Sequence, residues 1–123
     1  MFKEITFREF KENPFTLFLE DWGLVTAGNQ EHFNTMTIAW GQLGILWNKP
    51  ICTTYVRPTR YTYEFMEDNE YFTVAFFDKE YREPLRILGT KSGRDGYKVK
   101  ESGLTVEVLD NKSSLRSWHI LLL

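Results

Sequence analysis

The run Tyr71-Phe72-Thr73-Val74-Ala75-Phe76-Phe77 constrains this chain more than any other stretch. It is short, aromatic and β-branched, with hardly a polar position, which suits a strand covered on both faces. Comparable runs precede it at residues 24–27, ahead of a turn at Gly28-Asn29, then at 36–40, at 45–47 after a break at Gly41-Gln42-Leu43-Gly44, and at 51–56. Two helical patterns interleave. Pro58-Thr59 opens the first, with Tyr61, Phe65 and Met66 as its apolar stripe, Glu64, Glu67 and Asp68 toward water, and Asn69 as its end. The second runs over about 81–88, with Tyr81, Leu85 and Leu88 at i, i+4 and i+7 and Gly89 as its stop. Many short strands with few helices predict a β or α+β barrel rather than a βαβ sheet.

A chain of 123 residues makes one domain, 1–123, with room for a working core. A net charge of −2 provides no broad basic surface, which argues against nucleic acid as the main partner. One cysteine, Cys52, rules out an internal disulfide and fits a reducing compartment. Met1-Phe2-Lys3-Glu4-Ile5 has no signal-peptide core. The charge-free stretch 33–48 is too interrupted by Asn, Thr and Gln to span a membrane. The expectation is a soluble, cytoplasmic protein with no membrane partner. His32, His119 and Cys52 have no metal-ligand spacing.

Three clusters carry the remaining chemistry: Asn34-Thr35-Met36-Thr37-Ile38-Ala39-Trp40-Gly41, Arg57-Pro58-Thr59-Arg60-Tyr61-Thr62 and Thr90-Lys91-Ser92-Gly93-Arg94-Asp95. Each sets hydroxyls among cationic or backbone-exposing residues at the end of an element, as a phosphorylated ligand requires. A helix starting near Thr59 would aim its N–H groups toward Arg57 and Arg60. Taken alone, that string is also what an N-cap with solvated arginines looks like. The third string is a polar loop after a helix and lacks the glycine spacing of a P-loop. No Gly-x-Gly-x-x-Gly is present.

In this order, the three strings resemble the flavin reductase-like family, and more narrowly the flavoredoxin branch of the FMN-binding split barrels. The match runs from about Asn13-Pro14 to Leu104-Thr105. The resemblance implies a mainly β, Greek-key split β-barrel with short helices that forms a homodimer, with FMN bound near the subunit interface and NAD(P)H as co-substrate. It implies hydride transfer between nicotinamide and flavin with no catalytic acid–base residue. Asn34, Thr35, Met36 and Thr37 would lie along the ring and ribityl chain, largely through backbone donors. Ala39 and Trp40 would shape the pocket beside the ring. Arg57, Thr59, Arg60 and Thr62 would hold the 5′-phosphate, with Lys91, Ser92 and Arg94 closing over the phosphate or the ribityl end. The alternatives are an electron-carrier flavoprotein without nicotinamide turnover, or an inactive barrel.

The stretch 109–123 departs from the family pattern, as a truncation or a shifted reading frame would produce. Its apolar end, Ile120-Leu121-Leu122-Leu123, would serve as an extra strand on an exposed edge or leave a sticky surface.

Overall fold

The computed structural model describes residues 5–106 and 120–122. At the N-terminal end Asn13 caps α1 (Pro14–Thr16), its Oδ1 accepting from the Phe15 N–H at 2.9 Å, with Pro14 at the first helical position. The chain continues as a π-turn over Leu17–Asp21 that drives Leu17 and Phe18 into the interior. Next comes β1 (Gly23–Gly28), which pairs antiparallel with both β2 (Phe33–Ile38) and β5 (Phe72–Phe76). Ile120–Leu122, β6, adds a parallel strand outside β5, so the sheet runs β2-β1-β5-β6. The apolar C-terminal segment therefore does occupy a sheet edge, while 107–119 and Leu123 lie outside the described residues.

Both faces of this sheet are covered, as the nearly continuous apolar character of 71–77 predicts. Val25, Val74 and Phe76 pack with Leu17, Phe18 and Ile38 on one face. Leu24, Ala75 and Phe77 pack with Leu85, Leu88 and Val99 on the other. The period-2 alternation along β1 and β5 sorts neighbouring residues into the two layers.

The segment 41–44 does not break a strand. It begins β3 (Gly41–Leu46), which pairs with β4 (Lys49–Thr54) as a separate two-stranded sheet. The turn between them places Trp47 and Asn48 at φ 50° and 60°, the left-handed pair that a two-residue hairpin loop requires. Gly41 allows the hairpin to approach the core. A Cβ there would stand 2.2 Å from Phe18 Cε1 and 2.7 Å from the Thr53 carbonyl oxygen. Leu43 and Cys52 pack on the first core layer. The architecture is thus mainly antiparallel β with short helices, as expected, but among the described residues no ladder joins the two sheets into a closed barrel.

The helices sit close to their predicted places. α2 (Tyr61–Asp68) starts with Arg60, not Thr59, at its N-cap, and no side chain caps it. Asn69 ends it by donating from Nδ2 to the Phe65 carbonyl at 2.8 Å. α3 (Arg82–Thr90) runs through Gly89 rather than stopping there. A Cβ on Gly89 would lie 3.0 Å from Thr37 Cβ, so this glycine serves close helix–strand approach rather than termination. α4 (Lys98–Ser102) ends at Gly103 with φ 76°. No helix among the described residues is long and apolar enough to cross a membrane.

Substituting Gly41→Ala is expected to destabilise the protein by about 1–3 kcal/mol, because the Phe18 ring must leave its edge-to-face seat 5.0 Å from Phe76. Urea unfolding of the variant beside the wild type measures this, and an unchanged midpoint would show that the hairpin does not depend on that approach.

Candidate functional site

Residues far apart in the sequence meet where β2, α2 and the loop after α3 come together. Asn34 is buried on β2, and its Nδ2 donates to the Thr62 hydroxyl on α2 at 2.8 Å. Gly93 packs against that same amide, where a Cβ would fall 2.1 Å from Asn34 Oδ1. Arg94 then reaches across, donating to the Thr59 carbonyl at 3.3 Å and to Glu64 at 2.7 Å, with its guanidinium 4.9 Å from the Tyr61 ring centre. All three strings are therefore in direct contact. Small size at Gly93 and Gly89 is what lets the third string close onto the first.

Several expected ligand hydroxyls have internal work. Thr62 is 1% exposed and spends its oxygen on Asn34. Thr35 is buried, donates to the Val25 carbonyl at 2.9 Å and accepts from Thr26 at 3.0 Å. Thr37 donates to the Leu85 carbonyl, tying β2 to α3. Met36 packs against the first core layer. Ser92 accepts from the Arg94 N–H at 3.2 Å, capping the short turn at Gly93–Asp95. What β2 retains for a ligand is its backbone. It lies at the end of the described sheet, so alternate N–H and C=O groups point away from β1.

The cations divide into two classes. Lys91 pairs with Glu101, and Arg94 with Glu64. Arg57 and Arg60 are exposed, and among the described residues neither meets a carboxylate. Arg57 lies 5.4 Å from the ring centre of Trp40, itself 60% exposed, so the ends of the first and second strings share a second contact. Ala39 is exposed beside Trp40, and Thr59 beside Arg60.

An open cleft of about 190 Å³ adjoins this junction, lined by His32, Asn34, Tyr61, Gly93, Tyr97 and Lys98 among others. No local signal marks Tyr97 or Lys98 in the sequence, where Lys98 is one of several lysines in a polar stretch. Lys98 is nonetheless 5% exposed. Its Nζ donates to the Leu88 and Lys91 carbonyls at 2.9 Å each, satisfying the end of α3. Burial first, and the like charge of Arg60 second, push this ammonium down to about 8. Cys52 lies on β4, and burial pushes its thiol up to about 11, which makes it a packing residue rather than a nucleophile.

No family model matches the sequence. No curated protein matches it either. Among solved structures, the FMN-binding domain of a flavin reductases-like enzyme from Shewanella baltica OS155 is similar, with a TM-score of 0.67 and 21% identity. The likeness covers 80% of this chain and 52% of that one, so this chain spans about half that protein's length. The fold is shared. At this level of identity the likeness speaks for architecture, and the function has to be argued from the residues themselves.

Two outcomes test the junction. Thr62→Val keeps the shape but strands the buried Asn34 amide, and is expected to cost about 1–3 kcal/mol in urea unfolding. Lys98→Met should alter the pH dependence of stability. Between about 8 and the ordinary 10.5 the unfolded chain holds the Lys98 proton while the folded chain has released it, so this group adds stability as pH rises. Cys52 opposes this above its ordinary 9.0, but it is present in both proteins and cancels in their difference. The wild type should therefore gain on the variant from about pH 8 upward, and parallel curves would refute the assignment.

Proposed function

We propose that this chain is an FMN-binding oxidoreductase domain that moves a hydride between NAD(P)H and FMN. The observation that carries the reading is the contact of all three strings through Asn34, Thr62, Gly93 and Arg94, next to two guanidinium groups without carboxylate partners among the described residues. Fold likeness to an FMN-binding domain supports it.

The residues present fit such a group. Arg57 and Arg60 would hold the 5′-phosphate, each charge-assisted bond contributing about 1.5–3 kcal/mol. Arg94 would serve from the loop side, where Glu64 and the Thr59 carbonyl already orient it. The free backbone edge of β2 around Thr35, Met36 and Thr37 would hydrogen-bond the ring system, and Trp40 would cover it from water. FMN bound there supplies the two-electron redox chemistry. The protein's own part is binding, orientation and exclusion of water, which needs no proton-transferring side chain.

The cleft is smaller than the roughly 300–1,000 Å³ of common ligand pockets. A second copy of the chain would supply the missing wall. The apolar surface for it lies on the hairpin and its flanks, where Trp40, Ile45, Leu46 and Tyr55 are exposed and Trp47 is 85% exposed.

Three measurements test this reading. FMN added to the purified chain should be retained after desalting, visible by its absorbance, and should support NAD(P)H oxidation. Arg57→Ala should weaken FMN binding by about 1.5–3 kcal/mol with little change in stability, because the side chain is exposed and lies against the likewise exposed Trp40 ring. Trp47→Lys should shift sedimentation from dimer to monomer. Unaltered affinity in the arginine variant would remove the phosphate assignment, and FMN retention without NAD(P)H oxidation would make the protein an electron carrier.

A further inference from the structure

Lys98 is a buried cation with an incomplete set of partners. Its ammonium sits on the carbonyl end of α3, where the helix dipole favours positive charge, and binds the Leu88 and Lys91 oxygens. Among the described residues no carboxylate reaches it. Glu101, on its own helix, is taken by Lys91. Glu64, on α2, is taken by Arg94. The charge that does act on it, Arg60, has the same sign. The cleft beside it is lined by His32, Asn34, Tyr61 and Tyr97, which offer dipoles but no fixed negative charge. Lys100 on α4 and Asp95 in the preceding turn are both exposed. Among the described residues this buried ammonium is thus held by carbonyls alone, with a guanidinium nearby, an arrangement that an arriving anion would stabilise.

We propose that Lys98 is the proton-linked counter-charge of the phosphate site, fastening the 88–94 segment from behind and taking up a proton when a dianionic phosphate monoester binds at Arg60. This rests on the FMN reading above and goes beyond it by naming what regulates the same site. The sign follows from electrostatics. The free site lowers the Lys98 ammonium through burial and Arg60, and an arriving dianion offsets both, favouring the charged form. Phosphate-dependent affinity is then full below about pH 8 and falls above it, by at most tenfold per pH unit for one linked proton. The bound anion and the protonated lysine also stabilise the loop that carries Arg94, since Lys98 holds the Lys91 carbonyl at its start.

The test is titration of the full chain with FMN, and with riboflavin as the phosphate-free analogue, at about pH 7 and about pH 9.5. Calorimetry in two buffers of different ionisation enthalpy counts the protons. Wild-type affinity for FMN should fall at least several-fold over this range with proton uptake at the higher pH, while riboflavin affinity stays level. Lys98→Arg keeps a cation that does not titrate here, so FMN binding should persist and its pH dependence should flatten. Lys98→Met should bind FMN more weakly at the lower pH and be equally flat. His32→Gln should leave the slope in place. A wild-type profile no steeper than that of Lys98→Arg, or no proton uptake, overturns this inference and leaves the FMN reading standing. Absence of FMN binding at both pH values overturns the two together.

Discussion

Everything in this molecule hangs on β1 being buried on both faces. Val25 is 0% exposed, and its neighbour Leu24 points into the opposite layer. With β2 on one side and β5 on the other, β1 has no free edge. The strand thereby fixes where β2 lies, and β2 carries the residues on which the candidate site is built. Slipping the β1–β2 register by one residue would turn Asn34 away from Thr62 and exchange the two layers.

The site is held together by polar bonds inside and presents charge outside. Asn34–Thr62, Thr35–Val25 and Thr37–Leu85 consume the Thr35, Thr37 and Thr62 hydroxyls and the Asn34 amide within the protein, which leaves the backbone of β2 for the ligand contacts the family resemblance implies. Those groups had to be satisfied because they are largely withdrawn from water, and none of the described buried side-chain polar atoms is left without a partner. The consequence is a division of labour. Threonines and asparagine set the backbone of β2 and the start of α2, and arginines at the rim meet the solvent. Lys98 belongs to both groups, as a structural donor and as a charge that meets no carboxylate among the described residues.

The strands at 24–27, 51–56 and 71–77 and both helices were legible because their signals are local: β-branched and aromatic runs, Pro near a helix start, an i, i+4, i+7 stripe. The errors fell on glycines. Gly41 and Gly44 read as a break, and Gly89 as a stop, because glycine's local preference is for turns. In the structure Gly41 and Gly89 sit within regular elements so that Phe18 and Thr37 can come close, a requirement imposed by residues distant in sequence. The barrel closure expected from the family resemblance rests likewise on non-local pairing, and the described ladders stop at two sheets.

Sequence alone determined the mainly β class, the positions of α2 and α3 and the three polar strings, since composition and periodicity act over a few residues; α1 and α4, of three and five residues, are too short to show a period. Tertiary structure decided which of their side chains remain free. Burial made Thr62 and Asn34 partners of one another, left Arg57 and Arg60 at the rim, and drew Lys98 out of a polar segment into an interior where, among the described residues, no carboxylate meets it. Desolvation and charge proximity depend on what folding brings nearby, and neither is written in the order of the residues.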